Sequence, residues 1–290
     1  MDGRTALITG STGGIGKETA RGLARLGMRV LLVGRDEGRA AAAAEELKRD
    51  TGNGEIAAFT ADVTRQRDLR RLAGQVRDRY DALHVLINNA AANRPRHELT
   101  EDGVETDFAA NVLAPFVLTR LLLPLLRASA PARVVNITGG IPKGAIDLAN
   151  LQGERRYVGL LDSQYNHTKR ILMAMSYEFA QRLPGTEVTI NVAYPGHGFT
   201  PGNREMTIGM FPLAARPLAP LLRLAMPVLF GAKAISKASR SSVYLASSDE
   251  VAGVHGSYFD LRSRRAEWPS FATDPRNREA IWRLCTRLER

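Results

Sequence analysis

Thr5-Ala6-Leu7-Ile8-Thr9-Gly10-Ser11-Thr12-Gly13-Gly14-Ile15-Gly16 is the stretch that decides the fold of this chain. An apolar run, Thr5 to Thr9, ends in a glycine-rich turn. Behind the turn Ile15, Thr19, Leu23 and Leu26 recur on one face of a helical pattern. Gly27 stops that pattern, and Met28-Arg29-Val30-Leu31-Leu32-Val33 reads as a second buried strand. Strand, helix and strand within about thirty residues form a βαβ unit, which dictates parallel strands and a right-handed crossover. In the turn, Gly10 permits the sharp reversal, Gly14 lets backbone approach a pyrophosphate, and Gly16 lets the helix lie close on the sheet. Phosphate oxygens would then meet the unpaired N–H groups and positive dipole end of the helix.

The alternation runs on. Helices are predicted over Ala40 to Leu47, Arg65 to Arg79, Thr100 to Leu126 (one long helix or two) and Gln164 to Arg182. Strands are predicted over Glu55 to Thr60, His84 to Ile87, Arg133 to Ile137 and Glu187 to Ala193. The expected fold class is α/β: a doubly wound Rossmann fold, its parallel sheet covered by helices on both faces. No internal repeat and no Gly/Ser-rich linker divides residues 1–290, so one domain is expected. Residues 199–233 break the rhythm. Pro201, Pro212, Pro217, Pro220 and Pro227 stand there among leucines, alanines and methionines, too many prolines for one helix. This insertion is expected to act as a lid over an apolar substrate.

The 290 residues weigh 31.7 kDa, with 44% hydrophobic and 24% charged, which excludes disordered, collagen-like and coiled-coil classes. A single cysteine, Cys285, excludes a disulfide scaffold. No eighteen consecutive apolar residues and no signal peptide are found, so a cytoplasmic protein with no integral membrane segment is expected. The formal charge is +10, but arginine outnumbers lysine 34 to 6 and the arginines are scattered. Without aromatic-basic interleaving, no nucleic-acid partner is expected. His84 and His97 lack metal-ligand partners at useful spacing, and no metal site is expected.

Five further motifs follow the turn in order: Asp62-Val63, Asn88-Asn89-Ala90-Ala91, Asn111, Tyr165-Asn166-His167-Thr168-Lys169, and Tyr194-Pro195-Gly196 with Thr200. With the TGxxxGIG spacing of Thr9 to Gly16, the chain resembles the short-chain dehydrogenase/reductase superfamily. Gly14 to Ala20, Pro131 to Asn136, Leu151 to Glu154 and Gly256 to Phe259 resemble its retinol-dehydrogenase-like branch. The resemblance implies a nicotinamide cofactor held by Gly10, Ser11, Thr12, Gly14, Ile15 and Gly16, by Asp62 and Val63 at the adenine, and by Asn89, Ala90, Tyr165, Lys169, Pro195, Gly196 and Thr200. After the second strand stands Gly34-Arg35-Asp36, where Arg35 suits a 2′-phosphate. NADP(H) is therefore expected over NAD(H). A homodimer or homotetramer is implied by the resemblance alone.

Tyr165 and Lys169, four apart, share one face of a predicted helix. The resemblance gives Tyr165 the proton of the substrate oxygen, Lys169 the nicotinamide ribose, and Asn111 a water of the proton relay. A phenol near pKa 10 must shift by about three units, roughly 4 kcal/mol, to work near neutrality. A lysine ammonium about 4 Å away at an effective dielectric near 20 supplies that much.

One position departs from the family. The fifth strand runs into Thr138-Gly139-Gly140 where a Ser-Ser pair is the rule, so the catalytic serine position is Gly139. Thr138 is the nearest substitute hydroxyl. The expected activity is interconversion of a lipophilic alcohol and its ketone or aldehyde. Two alternatives stand beside it: acid/base chemistry on the same scaffold (cyclisation, dehydration or epimerisation), and a non-catalytic cofactor-binding regulator.

Overall fold

The computed structural model describes residues 1–140, 143–157, 163–183, 187–196 and 232–289. The expected lid at 199–233 lies almost wholly outside the described residues, as does Thr200. Eight strands form one sheet: β1 (Thr5–Thr9), β2 (Arg29–Gly34), β3 (Ile56–Thr60), β4 (Val85–Asn88), β5 (Ala132–Ile137), β6 (Val188–Ala193), β7 (Ser257–Phe259) and β8 (Arg265–Ala266). Their order is β3-β2-β1-β4-β5-β6-β7-β8, parallel throughout except for the antiparallel β7–β8 pair.

Period-two side-chain direction divides each central strand between two cores. Ile8 and Leu32 face one core with α1 (Gly14–Arg25), α2 (Glu37–Thr51) and α6 (Ala232–Ser247), represented by Leu23, Leu47 and Leu245. Leu7, Leu31 and Val134 face the other, with α3 (Gln66–Arg79), α4 (Thr106–Ala128), α5 (Gln164–Gln181) and α7 (Pro275–Leu288), represented by Leu72, Phe116, Met173 and Ile281. This is the doubly wound Rossmann architecture. The chain order reverses between β1 and β4, and the carboxyl ends of these strands open the crevice where such sheets bind ligands.

Helix α4 starts at Thr106, six residues after the sequence suggests, because the carboxylate of Glu105 accepts the N–H groups of Asp107 and Phe108 at 2.7 and 2.8 Å. Its residues Ala109–Leu113 form a π turn, closed by the Ala114 N–H on the Ala109 carbonyl, with Asn111 at the centre. The helix is long and apolar enough to cross a bilayer, but 72% of its most apolar window is buried inside the molecule, as befits a core helix. Periodicity missed the C-terminal frame of α6, β7, β8 and α7. There Arg133 of β5 is buried, and Nη1 donates to the Leu245 and Ser248 carbonyls at 3.1 and 2.8 Å, closing the end of α6.

Candidate active site

The turn after β1 is built to receive an anion. Gly10 holds φ +65° and Gly14 φ +57°, conformations that favour glycine. A Cβ at Gly10 would stand 2.8 Å from the Ala90 Cα, and one at Gly34 would overlap the Thr12 methyl group. A Cβ at Gly16 would overlap the Asn89 amide and the Gly10 carbonyl. Helix α1 begins behind Gly13 with no side-chain cap and no acidic residue in its first turn, leaving its first N–H groups and dipole for a phosphate. These residues fit a dinucleotide.

The neighbouring strand end is stitched to this turn by Thr9, which the sequence reading quoted in the motif but gave no role. Its hydroxyl accepts the N–H groups of Asn89 and Ala90, both at 3.0 Å. The Asn89 amide in turn donates to the Thr9 and Gly10 carbonyls at 2.9 and 3.1 Å. Ser11 is wholly buried and braces the turn: its hydroxyl donates to the Ile8 carbonyl at 2.7 Å and accepts the Val33 N–H at 3.0 Å. Its side chain therefore shapes the loop from beneath. Val63 and Ala90 line one cleft with Thr9 and Asn88. Asp62 Oδ1 accepts the Thr64 hydroxyl and N–H at 2.7 and 3.0 Å, which fixes the bend after β3. At the tip of β2 Arg35 is exposed, while Asp36 caps α2 by accepting the Arg39 N–H at 2.7 Å.

Across the crevice, Ser163 caps α5 and sets Tyr165 in its first turn. One helical turn later Lys169 is buried, its ammonium donating to the Ile137 carbonyl at 3.1 Å and lying 5.9 Å from the Tyr165 ring centre. A Cβ at Gly139 would lie 2.9 Å from the Tyr165 hydroxyl and 3.9 Å from Lys169 Cε, so the backbone at this position faces the pair. Thr138 does not. Its buried hydroxyl is turned to the Lys169 carbonyl at 3.3 Å, on the helix backbone. The electrostatics also differ from the sequence expectation. Burial, with the charge of Asp107, pushes the Tyr165 phenol up to about 12, and burial pushes Lys169 down to about 8 against Asp107. In this arrangement desolvation outweighs the attraction the lysine was expected to supply.

Asn111 is fully buried and wholly engaged: Oδ1 accepts the Ala92 N–H, and Nδ2 donates to the Ala92 carbonyl and to Thr168 Oγ1, each at 2.9 Å. Its side chain thus ties the loop at Ala92 to α5, and a water of the expected relay would have to use other atoms of the π turn. Pro195 and Gly196 follow β6, with Gly196 at φ +77°. Beside them the Tyr194 hydroxyl donates to the Gly140 carbonyl at 3.3 Å. His167, inside the Tyr-Lys motif, faces elsewhere, its Nε2 accepting the Asp147 N–H at 3.0 Å. Among the described residues no cluster of three or more His, Cys, Asp or Glu is placed to hold a metal.

Residues 4–208 match the family described as short chain dehydrogenase. Human retinol dehydrogenase 13 is 33% identical over 289 residues, which cover 99% of this chain and 85% of that protein. A crystal structure of an uncharacterized protein from Mycobacterium paratuberculosis superposes with a TM-score of 0.74 at 27% identity, covering 99% of this chain and 94% of the other. A structure described as an NAD(P) dependent gluconate 5-dehydrogenase from Beutenbergia cavernae, with NADP bound at low occupancy, gives a TM-score of 0.66 at 25% identity, covering 90% and 96%.

Proposed function

The chain belongs to the short chain dehydrogenase family, whose members bind a nicotinamide cofactor, and from that premise we propose an NADP(H)-dependent oxidoreductase that interconverts a lipophilic alcohol and its ketone or aldehyde. The observation that carries this reading is the Tyr165–Lys169 pair facing the backbone at Gly139, across the crevice from the glycine turn.

When bound, the cofactor supplies hydride exchange. The chain's own residues do the rest. The turn from Gly10 to Gly16 holds the pyrophosphate on the start of α1. Tyr165 exchanges a proton with the substrate oxygen, and Lys169 fixes a ribose hydroxyl while its charge favours the phenolate. Asp36 is occupied in capping α2, so the exposed Arg35 is the side chain at this tip suited to a 2′-phosphate, which supports NADP(H). No hydroxyl is assigned to the substrate carbonyl, since Gly139 has none and Thr138 turns away. Losing one such donor slows acyl-type chemistry about 10²–10³-fold, a handicap to carbonyl reduction rather than a bar. A relative named as a retinol dehydrogenase, matched over nearly the whole chain, favours redox chemistry over the acid/base alternative.

The test is turnover of NADPH with a panel of hydrophobic ketones, aldehydes and quinones. Wild-type protein is expected to oxidise NADPH with at least one of them. Tyr165→Phe is expected to retain NADPH binding, within the loss of one hydroxyl contact, and to turn over none. Tight NADPH binding by the wild type without turnover of any panel member would overturn the reading.

A further inference from the structure

Beside the catalytic pair, the start of α4 carries two carboxyl groups that the reaction above does not use. Glu105 and Asp107 are both 0% exposed. Glu105 is saturated. Oε1 accepts the Asp107 N–H at 2.7 Å and the Tyr157 hydroxyl at 3.2 Å, while Oε2 accepts the Phe108 N–H at 2.8 Å and Gln164 Nε2 at 2.9 Å. Asp107 is not saturated. Its Oδ1 accepts the Arg94 N–H at 2.9 Å, but Oδ2 is sealed from solvent and closes no hydrogen bond of full geometry among the described residues; the Tyr157 hydroxyl, close enough to favour its charge, donates to Glu105. An ionised oxygen in that position bears the full cost of lost hydration, and a second carboxylate two residues away adds repulsion. One proton on the pair removes both penalties.

The pair is linked to α5 directly through Glu105 and indirectly through Asn111. Glu105 holds Gln164, the residue before Tyr165. Asp107 and Asn111 lie four apart at the start of α4, and together they hold the loop at Ala92 and Arg94. Asn111 then reaches Thr168, the residue before Lys169.

We propose that Asp107 is a positioning residue for the reaction: with Glu105 it forms a buried one-proton carboxyl pair whose charge state is felt at Tyr165 and Lys169. The inference rests on the redox reading of that site. Among the described residues, the charged and titratable groups facing Asp107 are Glu105 at the cap of its own helix, Arg94 and Tyr157 from the flanking loops, and Tyr165 and Lys169 from α5. Burial and then the charge of Glu105 push Asp107 up to about 7, against the pull of Arg94 and of the Tyr157 hydroxyl. Once ionised, Asp107 makes both Tyr165 and Lys169 hold their protons more firmly. In acid the pair holds one proton and a single negative charge, and it gains its second negative charge near neutrality, with the released proton passing to solvent.

Two measurements on the full chain decide it. Infrared spectroscopy of the wild-type protein, from about pH 5 to pH 9, is expected to show a protonated-carboxyl C=O band that disappears near neutrality and is absent from Asp107→Asn. No substrate is needed, so this result stands whether or not the redox reading does. Where Asp107→Asn does not fold, Glu105→Gln carries the assignment, since removing the neighbouring charge should move the midpoint to lower pH. In alcohol oxidation, Asp107→Asn is expected to shift the alkaline limb of the kcat profile to lower pH by about half a unit or more, roughly threefold in proton concentration. Absence of the band from the wild type, an unmoved midpoint in Glu105→Gln, or an Asp107→Asn rate lowered equally at every pH overturns the proposal.

Discussion

The backbone of Gly139 faces the Tyr165 hydroxyl so closely that a Cβ there would stand 2.9 Å from the phenolic oxygen. Replacing a side chain by hydrogen at this position does two things at once. On the proposed reading, it removes a donor for the substrate carbonyl, and it opens space beside the tyrosine hydroxyl. The obstacle to restoring a side chain is the tip of Tyr165 rather than backbone, and no left-handed φ strains the position.

Gly139→Ser is therefore expected to fold, to move the phenol by a few tenths of an ångström, and to raise carbonyl reduction. A restored donor is worth up to about 10²-fold in kcat. Steady-state NADPH oxidation with the best ketone or aldehyde of the panel measures it. Unchanged or lower turnover would show that the space, not the missing donor, matters to the native reaction.

Arg35→Ala tests the cofactor assignment. A charge-assisted bond to a 2′-phosphate is worth about 1.5–3 kcal/mol, so the Kd for NADPH should rise on the order of tenfold to a hundredfold while that for NADH stays within about twofold. Titration calorimetry with both dinucleotides reads the difference, and equal losses would remove Arg35 from the phosphate site.

The buried carboxyl of Asp107 makes stability depend on pH in a definite direction. Its folded pKa is raised from an ordinary aspartate value to about 7, so the folded state holds a proton that the unfolded chain has given up. The associated stability is present in full below about pH 4 and is lost as pH rises through about 7. Asp107→Asn, which keeps an acceptor for the Arg94 N–H and carries no charge, should raise Tm at about pH 8 relative to the wild type. The advantage should shrink toward about pH 5. Thermal melts of both proteins across that range check the sign.

Arg133→Met tests the closure of α6. The substitution keeps much of the stem but removes a buried guanidinium that satisfies two carbonyls at the helix end. Loss of two bonds from a charged donor should cost about 2–4 kcal/mol. Urea unfolding with an unchanged m-value is the measurement, and a loss below about 0.5 kcal/mol would mean that water replaces the guanidinium freely.

The βαβ opening was legible from sequence because Gly10, Gly16 and Gly27 stand where geometry admits little else. The β-strands up to β6 carried apolar runs that only a sheet buried on both faces requires. Tyr165 and Lys169 were legible as a pair for the same kind of reason: a spacing of four on a helix fixes a shared face. The missed features depend on contacts distant in sequence. Thr9 gains its role from a strand end eighty residues away, and Asn111 from Ala92 and Thr168. Helix α4 starts late because the Glu105 carboxylate caps it, which periodicity cannot reveal. The depressed phenol pKa failed as an expectation because spacing says how two groups are arranged but not how much water each has lost.

Asn111 has no spare hydrogen-bonding capacity on its buried amide nitrogen, since one hydrogen serves Ala92 and the other Thr168. The loop at Ala92 and the helix that carries the ammonium are consequently coupled through this side chain. Any rearrangement that lifts the loop must either drag Thr168, the residue before the motif's lysine, with it or abandon a bond deep inside the protein.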